Sequence, residues 1–296
     1  MKKIKEFIIT AIDGFFMALA DSVPGVSGGT IAFLLGFYDQ FIGSLDKLFR
    51  GNFKEKKETL IWLIKLGIGW GIGFILAATV LSSLFTKHIY AMSSLFLGFI
   101  IVAIPIIVKE ELVSIKGQYK NIIFAIIGIL LVVGITILNN VGGLNIDVNS
   151  LNLLTIIYVF IAAAIAISAM ILPGISGSTL LLVFGLYIPI MTNIKKFLTF
   201  DISAFPILFV FGLGILFGIV FFVRLIKRNL EKHRSPMIYL IIGLMLGSLY
   251  SIVMGPTTLE EPLTMMTLKT FNILFFVIGI AIIGSLELLK KKLKEK

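Results

Sequence analysis

Two short stretches of the sequence place hydroxyl side chains just after a Pro-Gly step. The first reads DSVPGVSGGT, residues 21–30, and the second reads MILPGISGST, residues 170–179. A Pro-Gly step ends a helix, because proline lacks an N–H donor and glycine adopts backbone angles that other residues avoid. The serine that follows can begin a new helix, whose free N–H groups and positive dipole end attract a phosphate or carboxylate. The pattern therefore predicts two cradles for an anion.

The predicted binding residues are the Pro-Gly steps with the hydroxyl and glycine residues that follow them. They are Pro24, Gly25, Ser27, Gly28, Gly29 and Thr30 in the first stretch, and Pro173, Gly174, Ser176, Gly177, Ser178 and Thr179 in the second. The alternative is that small residues only let helices pack closely. We favour a binding site because the pattern occurs twice with its serine and threonine retained. The glycines at 67, 69, 71, 73, 212, 214 and 218 are instead interpreted as packing residues.

Four charged residues in or beside apolar segments are further candidates. Asp21 precedes the first Pro-Gly step, and Met170 takes the matching place in the second stretch. A carboxylate inside a membrane usually has a function, so Asp21 is a candidate proton carrier or cation partner; the alternative is that it caps a helix. Asp13 is a weaker candidate of the same kind. Lys65 and Arg224 are interpreted first as anchors at helix ends, and second as long-range cations for a phosphate.

Composition assigns the chain to the polytopic membrane proteins. Of its 296 residues, 58% are hydrophobic and 14% charged, and the mean hydropathy is +1.07. Soluble domains are about half apolar and a quarter charged. The net charge of +10 fits basic cytoplasmic loops rather than nucleic-acid binding. With no cysteine and two histidines, the sequence predicts neither a metal site nor a cofactor.

Apolar segments predict an all-α fold. Six are long enough to span a bilayer, which takes about 20 residues: 59–86, 89–108, 121–139, 204–223, 236–254 and 271–289. Four shorter or interrupted segments, 5–22, 27–45, 152–172 and 176–194, flank the two Pro-Gly stretches. Each pair of short segments forms either a re-entrant hairpin with its break at mid-depth, which we favour, or two spanning helices.

The two Pro-Gly stretches belong to a longer internal repeat. An offset of 149 pairs Pro24 with Pro173, and an offset of 145 pairs Lys87-His88 with Lys232-His233. The sequence thus predicts two repeats, 1–146 and 147–296, each a broken hairpin plus three transmembrane helices. Lysine and arginine put both termini in the cytoplasm, whereas the connection at 140–150 has neither residue and is predicted outside. The repeats are therefore predicted to be inverted, as in secondary transporters with a site near the midplane.

The phrases ADSVPGVSGGT and ILPGISGST, together with their spacing, resemble the bacterial polyprenyl-phosphate transporter family PopT (domain-of-unknown-function family 368). The resemblance covers essentially the whole chain. It implies a flippase in the bacterial cytoplasmic membrane that returns undecaprenyl phosphate from the outer to the cytoplasmic leaflet, for reuse in building the cell envelope. The implied partners are a polyprenyl phosphate lipid and the bilayer, with no nucleic acid. A monomer and a homo-oligomer both stay open.

Two other classes of protein share parts of this pattern. Undecaprenyl-pyrophosphate phosphatases also carry inverted repeats and Pro-Gly-x-Ser breaks, but their phrase has an arginine after the serine, where this chain has Gly28 and Gly177. Phosphoryl transfer needs cations or a metal to stabilise developing charge, so we expect no catalytic residues. The other alternative is a secondary transporter of a different small anion or solute. Phosphate release, lipid movement and solute flux in liposomes distinguish the three.

Overall fold

The computed structural model describes residues 2–21, 27–76, 82–140, 152–258 and 262–294. Within these ranges all regular structure is helical and no strand occurs, which confirms the prediction of an all-α membrane protein. Six of the described segments are long and apolar enough to cross a membrane. They are Phe53–Leu76, Lys87–Glu110, Tyr119–Leu138, Leu153–Ile171, Ile202–Lys232 and Arg234–Thr257.

The α-helices are numbered in chain order. Their bounds are α1 (Lys2–Asp21), α2 (Gly28–Leu34), α3 (Tyr38–Arg50), α4 (Phe53–Leu76), α5 (Ser82–Glu110), α6 (Leu112–Ile115), α7 (Ile122–Asn140), α8 (Leu153–Ile171), α9 (Gly177–Val183), α10 (Tyr187–Leu198), α11 (Phe205–Lys232), α12 (Arg234–Met254) and α13 (Ile273–Lys294). The breaks between α1 and α2 and between α8 and α9 fall at the two Pro-Gly stretches. The sequence pattern therefore located both interruptions correctly.

The helix bounds refine three of the four segments predicted to be short or interrupted. Segments 27–45 and 176–194 are each two helices divided at a glycine. Gly36 and Gly185 have positive φ angles of 67° and 65°, and a left-handed glycine is a common helix C-terminus. Segment 152–172 was predicted to be short or interrupted, whereas α8 has 19 residues and is long enough to span.

Glycines hold α1 and α4 at backbone contact in the first half of the chain. A Cβ atom at Gly69 would collide with the carbonyl of Ala11, and one at Gly73 with the carbonyl of Phe15. Because both partner numbers rise together, the two helices run parallel.

The second half repeats this contact between α8 and α11. Gly214 lies against the carbonyl of Phe160, and Gly218 lies against the carbonyl of Ala164. These glycines are related to Gly69 and Gly73 by the offset of 145. Their partners on α8 are related to Ala11 and Phe15 by the offset of 149.

Two further helix pairs join the halves, α5 with α13 and α7 with α12. Gly98 packs on the carbonyl of Phe276, and the matching Gly243 packs on that of Ala125. Four of the glycines predicted to aid packing do so: Gly69, Gly73, Gly214 and Gly218. The other three, at 67, 71 and 212, have no heavy atom within 4 Å of a built Cβ and contribute no close packing.

Ion pairs tie the two halves together at one end of the molecule. Asp46 on α3 accepts hydrogen bonds from Lys227 on α11 at 2.8 Å and from Arg50 at 2.9 Å. Arg234, at the start of α12, forms a two-pronged ion pair with Glu111 and also donates to Asp39 at 3.1 Å. This end is called the charged end below. The loops at 51–52, 111–121 and 233 therefore lie on the same side.

Candidate functional site

The two broken segments meet at the first stretch's serine and threonine. The Ser27 hydroxyl donates to the Leu172 carbonyl at 3.1 Å. The Gly174 amide donates to the Thr30 hydroxyl at 2.9 Å and to the Ser27 oxygen at 3.3 Å. Gly29 completes the contact, because a Cβ there would collide with the Ile171 carbonyl. The backbone of the second break is thus bound by side chains of the first.

Ser27 also performs the helix-starting role that the sequence predicts. It precedes α2 with extended backbone angles, and its side-chain oxygen accepts a hydrogen bond from the Thr30 amide at 3.3 Å. Both hydroxyl groups are buried. In this conformation their hydrogen bonds go to protein groups.

Asp21 lies at the end of α1, opposite the first turn of α2. One carboxylate oxygen accepts a hydrogen bond from the Gly28 amide at 2.6 Å, and the other accepts one from the indole N–H of Trp70 at 3.1 Å. The carboxylate therefore caps α2, as the helix-capping interpretation expects. It also connects α1, α2 and α4 at one point.

A cavity of about 210 Å³ lies beside this carboxylate. Its polar lining consists of Asp21 and the start of α9, and the rest is apolar. The lining residues are Asp21, Ala163, Ala166, Ile167, Met170, Ser176, Gly177, Ser178, Leu181, Phe211 and Ile215. The first half thus contributes a carboxylate to a cavity whose other walls belong to the second half.

The second break presents its hydroxyl groups differently from the first. Ser176 precedes α9 but makes no capping hydrogen bond, and its hydroxyl lies 2.8 Å from that of Ser178. Gly177 packs against Met170, just as Gly28 packs against Asp21 at the matching position. An apolar side chain therefore stands in the second half where the first has a carboxylate.

The remaining predicted site residues are dispersed. Pro24 and Gly25 lie outside the described residues, and Pro173 is buried within the second break. Gly174 has a φ angle of 89° and lies against the backbone of α12. Thr179 is on α9 but is not part of the cavity lining.

None of the other charged candidates lines the cavity. Lys65 pairs with Glu6 at 3.6 Å, and Arg224 is exposed on α11. Asp13 is half-buried on α1, two turns before Asp21. Of the predicted charges, only Asp21 lies beside the hydroxyl groups of α9. Among the described residues, no group of three or more histidine, aspartate or glutamate side chains could hold a metal ion.

Comparisons with known proteins bear on this arrangement. A family model named VCA0040-like and described as undecaprenyl phosphate translocase-like matches residues 17–288. The chain belongs to this family. The match covers both breaks and the residues that line the cavity.

Two curated relatives agree with this assignment. A polyprenyl-phosphate transporter of Staphylococcus aureus (strain NCTC 8325 / PS 47) is 36% identical over 254 residues, 84% of this chain and 87% of the relative. One of Vibrio cholerae serotype O1 is 32% identical over 260 residues, 84% of this chain and 79% of the relative. Both are named as transporters rather than enzymes, in line with the expectation of a lipid transporter rather than a phosphatase. No solved structure gives a significant match.

The sequence interpretation did not identify Trp70, which binds Asp21. Trp70 stands between Gly69 and Gly71, and its ring stacks on Phe74 with centroids 5.0 Å apart. A signal was present: an indole N–H inside an apolar helix needs an acceptor. The partner could not be read from the sequence, because it depends on how closely α4 approaches α1.

Proposed function

We propose that this chain is a flippase that returns undecaprenyl phosphate from the outer to the cytoplasmic leaflet of a bacterial cytoplasmic membrane, for reuse in building the cell envelope. The observation that carries the proposal is the cavity at the second break, which is lined by Asp21, Ser176 and Ser178 among otherwise apolar residues and Gly177. A charged headgroup needs such polar contacts inside a membrane. The family assignment and the two transporter relatives support the choice of lipid.

The proposed headgroup site is centred on Ser176, Gly177 and Ser178. All three residues line the cavity, and the Ser176 side chain makes no capping hydrogen bond to α9. Neutral donors can hold a phosphate without a tight ion pair, which favours its release. Gly28 and the hydroxyl groups of the first break would join the site in a conformation where Ser27 and Thr30 no longer bind residues 172–174. Six of the residues predicted from the sequence would thus serve in two states: Ser176, Gly177 and Ser178 in this one, and Ser27, Gly28 and Thr30 in the other.

Asp21 is the proposed link to a proton gradient. An ionised carboxylate beside the cavity repels a phosphate, whereas a protonated one can donate a hydrogen bond to it. Binding of the lipid would therefore favour the protonated form of Asp21. Transport would carry a proton with the headgroup.

The proposed architecture is a pair of inverted repeats, 1–146 and 147–296, with both termini in the cytoplasm. The matched glycine contacts of α1–α4 and α8–α11 support two similar halves. The clustering of Arg50, Lys227 and Arg234 at the charged end supports a cytoplasmic location for that end. In this arrangement the two breaks approach the cavity from opposite directions.

The decisive experiment uses purified protein in liposomes that contain undecaprenyl phosphate. An impermeant probe or enzyme outside the vesicles measures how much of the lipid is exposed, with and without a pH gradient. We expect the protein to redistribute the lipid between leaflets without releasing phosphate. Phosphate release would indicate the phosphatase alternative, and flux of a soluble anion without lipid movement would indicate a different substrate.

A further inference from the structure

The Asp21–Trp70 hydrogen bond occurs in only one half of a repeated scaffold. The offset of 149 relates Asp21 to Met170, and the offset of 145 relates Trp70 to Ile215. Both members of the pair are thus replaced by apolar residues at the matching positions. Met170 and Ile215 line the cavity beside Asp21.

The helix packing around the two pairs is the same. Gly69 and Gly73 flank Trp70 and hold α4 against α1, while Gly214 and Gly218 flank Ile215 and hold α11 against α8. The second half reaches this arrangement with an apolar pair. A polar pair is therefore not required to pack the helices, and its presence in the first half needs another reason.

We propose that Trp70 is a positioning residue for transport, which holds the Asp21 carboxylate at the cavity through its indole N–H. The inference rests on the proposed function. It assigns a role to the indole N–H itself, separate from the stacking of the ring on Phe74. Since the carboxylate bridges Trp70 on α4 and Gly28 on α2, this bond also fixes where α2 begins relative to α4.

Few other groups act on Asp21. The Gly28 amide faces it from α2 and the indole from α4, and two hydroxyl residues line the same cavity, Ser176 just before α9 and Ser178 on it. From α8 and α11, the described cavity lining is apolar: Ala163, Ala166, Ile167, Met170, Phe211 and Ile215. An N–H that donates to a carboxylate favours its ionised form. Without the indole N–H, Asp21 would be protonated at a higher pH.

The central test is Trp70→Phe, which keeps an aromatic ring beside Phe74 and removes the N–H donor. We expect slower lipid transport, and the limb of the pH profile that Asp21 controls should move by about one unit to higher pH. The matched control is Trp62→Phe, the same change on the same helix at a residue that packs on Phe37. It should leave rate and profile unchanged.

A second variant, Asp21→Met with Trp70→Ile, gives the first half the apolar residues that Met170 and Ile215 supply in the second half. Because this pair fits between equivalent helices in α8 and α11, we expect a folded protein with a single thermal transition and no transport. Transport at the wild-type rate by this double variant would overturn the inference.

The outcomes separate two kinds of failure. Wild-type protein that moves no undecaprenyl phosphate in the same liposomes contradicts the proposed function, and the inference with it. Active wild type, impaired Asp21→Asn and a Trp70→Phe variant with unchanged rate and pH profile would contradict the role of Trp70 alone. A slower Trp70→Phe variant with an unmoved pH profile would reduce Trp70 to a packing residue.

Discussion

At the scale of single residues, equivalent hydroxyl groups of the two breaks have different environments. Ser27 binds the backbone of residues 172 and 174, whereas Ser176 lines the cavity and contacts Ser178. The sequence makes the two serines look interchangeable. The structure predicts that their loss has different consequences in this conformation.

Replacing Ser176 should weaken binding of the lipid without weakening the fold. Ser176→Ala removes a donor to the proposed headgroup, and a hydrogen bond to a charged group contributes roughly 1.5–3 kcal/mol. We therefore expect a loss of affinity of about ten- to a hundredfold, measured by binding of undecaprenyl phosphate to the purified protein. The comparison variant is Ser27→Ala, which should lower the free energy of unfolding by about 1–3 kcal/mol because buried backbone groups lose a partner. Equal affinity in wild type and Ser176→Ala would exclude this site.

Replacing Asp21 tests the proposed proton coupling. In Asp21→Asn, one side-chain oxygen becomes an NH₂ group, which faces an N–H donor from Gly28 or Trp70 and cannot accept its hydrogen bond. We expect slower transport that no longer responds to pH over the range where wild type does. The measurement is lipid movement in liposomes at a series of pH values. Wild-type rates by the variant at every pH would leave Asp21 only its capping role.

Residue types and spacing were sufficient to locate both breaks and the serine that begins α2. They also marked Asp21 as a candidate, and its role in transport stays a prediction. They could not show that Ser27 and Thr30 bind residues 172–174, since that contact joins positions more than 140 residues apart. Lys65 shows the same limit. Its charge made it a candidate cation for the phosphate, but its partner is Glu6 on α1.

At the scale of helices, the long apolar segments were predicted well and the short ones less well. Hydropathy alone defines a span, so α5, α7, α11 and α12 lie close to the predicted segments. Segments 27–45 and 176–194 were predicted to be short or interrupted, but their divisions were not placed at Gly36 and Gly185, because hydropathy does not register a left-handed glycine inside an apolar run. The sequence also did not distinguish the glycines that pack from those that do not. A glycine packs only if it lies on the helix face that contacts the neighbouring helix.

The packing faces give a prediction with an internal control on α4. Gly69→Leu places a side chain against the Ala11 carbonyl and forces α1 away from α4, so we expect little folded protein in the membrane. Gly71→Leu, two residues away, meets open space and should express at the wild-type level. Expression and thermal stability in mild detergent measure the difference. Similar behaviour of both variants would contradict the assigned packing face.

At the scale of the whole molecule, contacts between helices agree with the predicted loop sides. Members of the pairs α1–α4, α8–α11, α5–α13 and α7–α12 each run parallel, as the matched glycine contacts and the Thr136–Ser251 hydrogen bond show. The charge distribution predicts the same parallel direction, because in each pair it places the starts of both helices on one side of the membrane. At the end opposite the charged end, the Tyr90 hydroxyl donates to the Thr264 carbonyl at 2.9 Å, joining two regions predicted outside. These contacts support the predicted topology, and the orientation of the whole chain stays a prediction.

The charged end gives a prediction about how the halves are held together. Arg234→Met leaves Glu111, whose side chain is only 12% exposed, without its two-pronged partner, and removes the bond to Asp39. An unpaired, largely buried carboxylate is costly, whereas the exposed part of the network contributes little. We expect the free energy of unfolding to fall by about 1–3 kcal/mol, seen as a lower thermal midpoint in detergent. Arg228→Met removes an exposed cation from neighbouring α11 and serves as the control.

The stability lost in Arg234→Met should be regained when Glu111→Gln is added, because the amide needs no cation. If the double variant is as unstable as the single one, packing of the Arg234 side chain, rather than its charge, joins α12 to the first half.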